Sequence, residues 1–422
     1  MKKEQVEQAY NSAKNQYAAL GVNVEKAMEQ LDNLSITIHC WQADDVAGFE
    51  NPDGELLGGG IQATGNYPGK ARTIKELQKD IEKVLTLIPG QHRLGLHAIY
   101  GDFGGEFVDR NQIEIKHFQP WIDWAKKVDV KLDFNSTFFS HPKASSGYTI
   151  SDFNPEIREF WKEHLRLCRR IAAEIGRQQN EPCVHNIWFP DGEKDKTVSR
   201  YQHRELMKEA LDDVFKEKIS EQYLKDCVEC KLFGAGSESY VVGSHEFYLA
   251  YAIKNNLMLT LDGGHFHPTE EIADKISSIL LFAPEINLHA SRPERSPSDH
   301  IVILNDEMLA LAQEIVRSGL MDRVHLGLDY FDGSVNRIGA YVVGIRSTQR
   351  AMLQALLEPT EKLRKYEKNG DNFQRMAYLE ELKAMPWNAV YNYYCSSRNI
   401  PVGDEYIKII EKYEEEVTSK RK

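Results

Sequence analysis

The sequence predicts a (β/α)8 barrel, and three observations predict it. Eight short apolar runs recur along the 422 residues. Longer stretches with helical periodicity separate most of them. Each run stops at a polar or metal-capable side chain, the pattern expected where parallel strands deliver their carboxyl ends to one site. The runs are Ser35 to Trp41, Leu94 to Tyr100, Val130 to Asn135, Cys183 to Phe189, Cys227 to Phe233, Leu257 to His265, Ile286 to Ser291 and Arg323 to Asp332. Their ends carry His39, His97, Asp133, Glu229, Lys231, Asp262, His265, His289 and Asp329. A core has little use for so many titratable groups on one face, and a bound metal is the simplest way to neutralise them.

The elements follow in order. Residues 1–34 read as an N-terminal helical segment that is amphipathic and charged. Residues 35–357 read as the barrel. Its crossover helices are predicted over Thr73 to Ile88, Gln112 to Val128, Asn154 to Gly176, Ser199 to Ile219, Ser244 to Asn256, Pro268 to Phe282 and Asn305 to Gly319, with an eighth over Asn336 to Pro359. Thr73 supplies a start and Pro89-Gly90 a stop for the first of these. Residues 358–422 read as a charged helical tail, expected to pack on the barrel or on a neighbouring subunit. The Gly-rich stretch Gly54 to Lys70 lacks the Gly-Lys-Ser/Thr of a phosphate-binding loop and reads as a lid or an intersubunit loop.

Composition narrows the function. Hydrophobic residues make up 41% of the chain, as in a globular protein with a sizeable core. A net charge of −12 argues against nucleic acid or an anionic membrane as partner and is compatible with cations and a neutral substrate. No run of about 18 apolar residues suggests a membrane span. The N-terminus has no apolar core of a signal peptide, so the six cysteines are expected to be reduced thiols in a cytoplasmic protein.

The densest chemistry lies in Leu261 to Pro268, where Asp262 closes a strand and His265 follows Gly263-Gly264. A carboxylate and an imidazole three apart can face one cavity; a capping Asp beside a structural His is the plainer alternative. His267, next to Pro268, is the weaker ligand. Glu229 and Lys231, two apart, share a strand face. They read as a metal-binding carboxylate with an oxyanion-stabilising ammonium, or as a simple ion pair. Cys227 and Cys230 resemble half a zinc knuckle without a second half, and core packing is the better reading. His289 and Asp329 add a ligand from each of the last two strands. Carboxylates with one imidazole suit Mn2+, Mg2+ or Co2+ better than a structural zinc. Trp188, Asp191 and His97 offer an aromatic wall with polar groups, which a sugar site needs, although Trp188 reads equally well as core.

Six stretches carry a family resemblance: Val228 to Tyr240, Leu261 to Glu270, Leu288 to Arg295, Ser298 to Glu307, His325 to Ile338 and Ala355 to Thr360. Across them, and over nearly its whole length, the chain resembles the L-rhamnose isomerase family of metal-dependent aldose–ketose isomerases, which is similar to xylose isomerase. The resemblance implies a homotetramer with two adjacent divalent ions per subunit, most simply Mn2+, acting on L-rhamnose to give L-rhamnulose. It implies Glu229, Asp262, His289 and Asp329 as ligands of a structural ion, and His265 and Asp299 as ligands of a catalytic ion. Lys231 falls at the active-site lysine, and Trp188 and His97 fall in the sugar pocket. Lys231, His265, Asp299 and Asp329 are the residues expected to act in the reaction, a hydride shift between C1 and C2.

One position departs from the pattern. The family loop reads Trp-Asp-Ser-Asp where this chain has Ser296-Pro297-Ser298-Asp299. Proline can coordinate only through its carbonyl oxygen, so the second ion is expected to be held more weakly, or to be completed by water, Glu294 or His300. Two other functions share the same residues. One is a metal-dependent barrel hydrolase, which would want a basic mouth for phosphate. The other is a sugar or metal binder without catalysis, which Pro297 would permit.

Overall fold

In a computed structural model of the chain, residues 2–50, 63–232, 239–294 and 296–421 are described, the side chains of residues 296–298 excepted. Eight parallel strands close into a barrel: β1 (Ile36–His39), β2 (His92–His97), β3 (Lys131–Asn135), β4 (Cys183–Trp188), β5 (Leu224–Glu229), β6 (Met258–Asp262), β7 (Ile286–Ala290) and β8 (Val324–Leu328). Each neighbours the next in sequence, and β8 returns to pair with β1 through Ile36 and Leu326. All eight predicted runs hold a strand. The Gly-rich stretch falls in part, at residues 54–62, outside the described residues.

The crossover helices are α3 (Ile74–Leu85), α4 (Gln119–Val128), α5 (Pro155–Gln179), α6 (Arg200–Val214), α7 (His245–Asn255), α8 (Ile272–Leu280) and α9 (Asp306–Ser318). Their limits have local causes. The Thr73 side chain accepts the Glu76 N–H at the start of α3, and Leu77, Ile81 and Val84 form its buried stripe. Asn154 and Pro155 open α5, and Asn180 in the left-handed conformation closes it. Asn305 caps α9, which ends at Gly319 with φ +72°. After β8 comes α10 (Arg337–Leu356), largely buried, then α11 (Thr360–Asn369), α12 (Asn372–Lys383), α13 (Trp387–Ser396) and α14 (Glu405–Glu416). The leading helices α1 (Lys3–Ala19) and α2 (Val24–Asp32) lie outside the barrel, where the Tyr10 ring of α1 stacks on Tyr393 of α13 at 3.8 Å.

The two ends of the barrel hold different chemistry. Toward the amino-terminal end, Asp133 accepts hydrogen bonds from Arg93 Nε at 2.8 Å and Nη2 at 2.7 Å, from the Thr37 hydroxyl at 2.7 Å and from the Val184 N–H at 2.8 Å. Burial alone would raise the Asp133 carboxyl, but the Arg93 guanidinium and the other donors outweigh it and hold the group below its ordinary value. Asp133 therefore does not join the groups at the carboxyl end, contrary to the sequence reading. Removing one partner strands the other in the core. Arg93→Met should cost about 3–5 kcal/mol in urea unfolding, and Arg93→Met with Asp133→Leu should recover most of that loss. Equal destabilisation in the single and double variants would contradict the pairing.

Candidate active site

At the carboxyl end, strands β5 to β8 deliver four side chains to one point. Ligand atoms of Glu229, Asp262, His289 and Asp329 all lie within 4.8 Å of one another. His289 Nδ1 sits 3.5 Å from Glu229 Oε1, 3.5 Å from Asp262 Oδ2 and 3.5 Å from Asp329 Oδ2. A second group, Asp262, His265 and Asp299, meets the same limit and shares Asp262 with the first. His265 Nε2 is 3.9 Å from Asp262 Oδ2 and 3.3 Å from Asp299 Oδ1. Asp299 comes from neither a barrel strand nor a helix. An antiparallel ribbon, Arg292–Glu294 with Ser296–His300, brings it in from the loop after β7.

Neighbouring residues aim the ligands. Asn186 on β4 donates to Glu229. The Ser291 hydroxyl and the Gly264 N–H donate to Asp262 Oδ1 at 2.6 and 2.7 Å. Trp41 Nε1 donates to Asp329 Oδ1 at 3.0 Å. Asn287 Nδ2 lies 3.1 Å from His289 Nε2, and His265 Nδ1 lies 3.0 Å from the Cys230 carbonyl. These contacts leave Glu229 Oε1, Asp262 Oδ2, His289 Nδ1 and Asp299 Oδ1 buried without a well-aligned hydrogen bond, their nearest polar neighbours being one another and His265, whose Nδ1 lies 2.9 Å from Glu229 Oε1. Buried polar atoms are almost always satisfied. Unsatisfied donors of this type, gathered into two adjoining groups, fit divalent cations of the Mn2+ and Mg2+ class.

The electrostatics agree with that fit. Burial favours a neutral Glu229, yet the adjacent His265 and His289 hold its carboxyl well below the ordinary value. Burial lifts Asp262 to about 6, with Asp329 and Asp299 adding to the rise. His265 goes the other way: burial would lower it, and the carboxylates of Asp262, Asp299 and Glu229 raise it to about 10. His289 is raised by the same kind of surroundings, Glu229 foremost. Without ions, the cluster holds protons on its imidazoles.

The groups open onto one cavity. Lys231 enters it with Nζ 3.0 Å from Asp299 Oδ2 and 5.6 Å above the Trp188 ring. Burial disfavours its charge, and Asp299 more than restores it, so the ammonium is raised above its ordinary value. His97 lies on the wall with Nδ1 3.0 Å from the Thr137 hydroxyl, and burial depresses it to about 3, so it is neutral. Trp41, Val46, Phe139 and Phe331 complete an apolar side.

Glu229, Lys231, Asp262, His265, His289, Asp299 and Asp329, with His97 and Trp188, are thus brought together or line one cavity. Several details differ from the sequence reading. Strand β5 ends at Glu229, so Lys231 reaches the site from just beyond the strand and pairs with Asp299, not with Glu229. His39 is buried edge-on against Tyr330 and belongs to neither donor group. Asp191 is occupied by the backbone and hydroxyls of Thr149 and Ser151, which lock the 149–151 turn. Gly263 serves close approach and not only a turn, since a Cβ there would meet the Ser291 carbonyl oxygen at 2.8 Å. Glu294 is exposed and pairs with Arg292. His267 is exposed and turned to Thr269. Trp41, Asn186, Asn287 and Ser291 went unnoticed. Strand alternation would have found two of them, because Asn186 and Asn287 stand two positions before Trp188 and His289.

The chain matches the family model described as L-rhamnose isomerase (RhaA) over residues 4–421. It is 55% identical over 420 residues to an L-rhamnose isomerase of Bacteroides thetaiotaomicron, covering 100% of both chains. It is 50% identical over 416 residues to an L-rhamnose isomerase of Rhodopirellula baltica, covering 99% of this chain and 97% of the relative. Among solved structures it is similar to an L-ribulose 3-epimerase with a TM-score of 0.50, at 11% identity, over 79% of this chain and 97% of that one. That likeness shows the barrel fold alone.

Cation binding should release protons. With His265 and His289 raised in the ion-free protein, both carry protons near neutrality, and an ion that binds their ring nitrogens must expel them. Mn2+ affinity measured by calorimetry should therefore weaken by about tenfold per pH unit for each proton displaced as pH falls from about 8 to 6. Affinity that stays constant over that range, with no proton release between buffers of different ionisation enthalpy, would show that the two imidazoles are not ligands.

Proposed function

The chain belongs to the L-rhamnose isomerase family, and we propose from that premise how its own residues perform the aldose–ketose isomerisation of L-rhamnose and L-rhamnulose. The observation that carries the reading is the pair of donor groups sharing Asp262, opening beside Lys231 onto an aromatic-walled cavity.

In this reading Glu229, Asp262, His289 and Asp329 hold one divalent ion, and His265 and Asp299, with Asp262, hold the other, most simply Mn2+ at both. Ions held there would supply Lewis-acid polarisation of the sugar carbonyl and a lowered pKa for its neighbouring hydroxyl. The remaining tasks fall to side chains. Lys231, fixed by Asp299 and stacked over Trp188, keeps a full positive charge in a place shielded from water and stabilises charge developing on the sugar oxygen. His97, neutral and held by Thr137, orients a hydroxyl by hydrogen bonding. Trp41, Trp188 and Phe139 cover C–H faces and exclude water. Val46 and Phe331 add apolar surface that accepts the methyl carbon of a 6-deoxy sugar better than a hydroxymethyl group. Hydrogen then moves directly between C1 and C2 while the proton passes between the two oxygens.

The reading extends to a cytoplasmic homotetramer acting on a small sugar. Six free, buried cysteines are in keeping with a reducing compartment. Leu281 and Phe282, 81% and 73% exposed, are the kind of surface a subunit contact covers. With proline at 297, Asp299 is the single carboxylate from the second strand of its ribbon, and Asp299 also serves Lys231. We place the weaker of the two ions there.

L-rhamnose with Mn2+ should yield a ketose, and a chelator should abolish it; no ketose under any divalent ion would refute the assignment. Lys231→Met should lower kcat by about 10²–10³-fold. Sugar labelled with deuterium at C2 should keep the label at C1 of the product, whereas wash-out to solvent would favour an enediol route. Pro297→Asp should tighten the second, weaker Mn2+ step in a titration; an unchanged isotherm would remove Pro297 from the account.

A further inference from the structure

Two chain segments, one of which directly follows the cavity-lining Phe331, are tied together by α14. Tyr67 N–H donates to the Gly333 carbonyl at 2.7 Å, and Gly333 N–H donates to the Thr64 carbonyl at 3.0 Å. The approach is so close that a Cβ on Gly65, φ +118°, would sit 2.3 Å from the Ser334 nitrogen. The Tyr67 hydroxyl lies 2.9 Å from both Glu414 carboxylate oxygens, and the Asn336 amide donates to the same carboxylate from the other segment. Asn336 also caps α10, where the next residue is Arg337. Arg337 holds Asp45 through two bonds of 2.9 and 2.7 Å and donates to the Tyr67 and Pro68 carbonyls. Asp45 and Val46 both occupy the left-handed region, with φ +60° and +62°. For a β-branched residue that conformation persists only where its surroundings impose it, and Val46 lines the cavity. From the other side, Gln42 makes two bonds to the Asp332 backbone, a few residues beyond Asp329 and next to Phe331.

We propose that Glu414 is a positioning residue for the reaction. Through Tyr67 and Asn336 its carboxylate locks the 64–68 and 332–337 segments to each other, and so keeps the Val46 wall in register with the stretch that carries Asp329 and Phe331. No residue of α14 is among those that line the cavity; the helix acts by fixing its frame. The kinetic part of this inference rests on the isomerase reading, and the structural part does not.

The test uses the full-length, Mn2+-loaded protein with Glu414→Ala, Tyr67→Phe and the double variant. Each single change should lower kcat/KM for L-rhamnose by about tenfold, mainly through KM. The double variant should be no worse than the worse single, because both break one link. Amide exchange at Tyr67 and Gly333 should quicken by about tenfold, with the interior of α10 unchanged. Glu414→Gln, which keeps one acceptor for Tyr67, should recover part of the activity. Unchanged exchange at those two amides overturns the clamp. Multiplicative losses in the double variant, or kcat/KM within about twofold of wild type, overturn its role in positioning. A loss that simply follows a lowered Tm does the same. If the wild-type protein converts no L-rhamnose, the isomerase reading fails, and exchange alone decides the clamp.

Discussion

Four carboxylates cannot share a buried point without compensating charge, and most of the architecture answers that constraint. Glu229, Asp262, Asp299 and Asp329 meet where strands β5 to β8 and one ribbon end. Three cationic or cationisable groups, Lys231, His265 and His289, stand among them, and Trp41, Asn186, Ser291 and the Gly264 N–H take up the outward lone pairs. The inward lone pairs are left over. Desolvating that much like charge is tolerable only when something positive completes it. A protein that keeps the arrangement is organised for ions to bind, and the strands, helices and caps hold the donors in place.

The barrel separates this demand from the demands of stability. Asp133 and Arg93 neutralise each other toward the amino end, with every strong donor used. At the carboxyl end, donors are deliberately left incomplete. Both ends contain buried carboxylates, and the difference lies in whether each carboxylate oxygen has a well-aligned hydrogen-bond donor.

That difference explains how far residues alone could be read. Apolar runs of strand length separated by capped helices are local signals, so all eight strands and the crossover helices were legible from period and punctuation. Glu229, Asp262, His289 and Asp329 were legible because a parallel barrel brings strand ends together whatever the details. Asp133 and His39 were misplaced for the same reason: a position near a strand end does not say which partner waits across the barrel, and Arg93 and Tyr330 come from elsewhere in the chain. Asp191 looked like a sugar contact, but the Thr149 and Ser151 turn claimed it. Asp299 could be placed only by resemblance, since no periodicity announces a ribbon. Lys231 lies past its strand, so the two-residue spacing from Glu229 suggested the right cavity for an inexact reason.

The donors differ in what supports them. Those on β5 to β8 belong to a closed ring of hydrogen-bonded staves, where moving one disturbs its neighbours on both sides. Asp299 instead rides on a two-stranded ribbon with an irregular register that lies outside that ring. Such a ribbon has little stability of its own to lose. A substitution in that ribbon can therefore shift Asp299 while the closed ring of staves stays untouched.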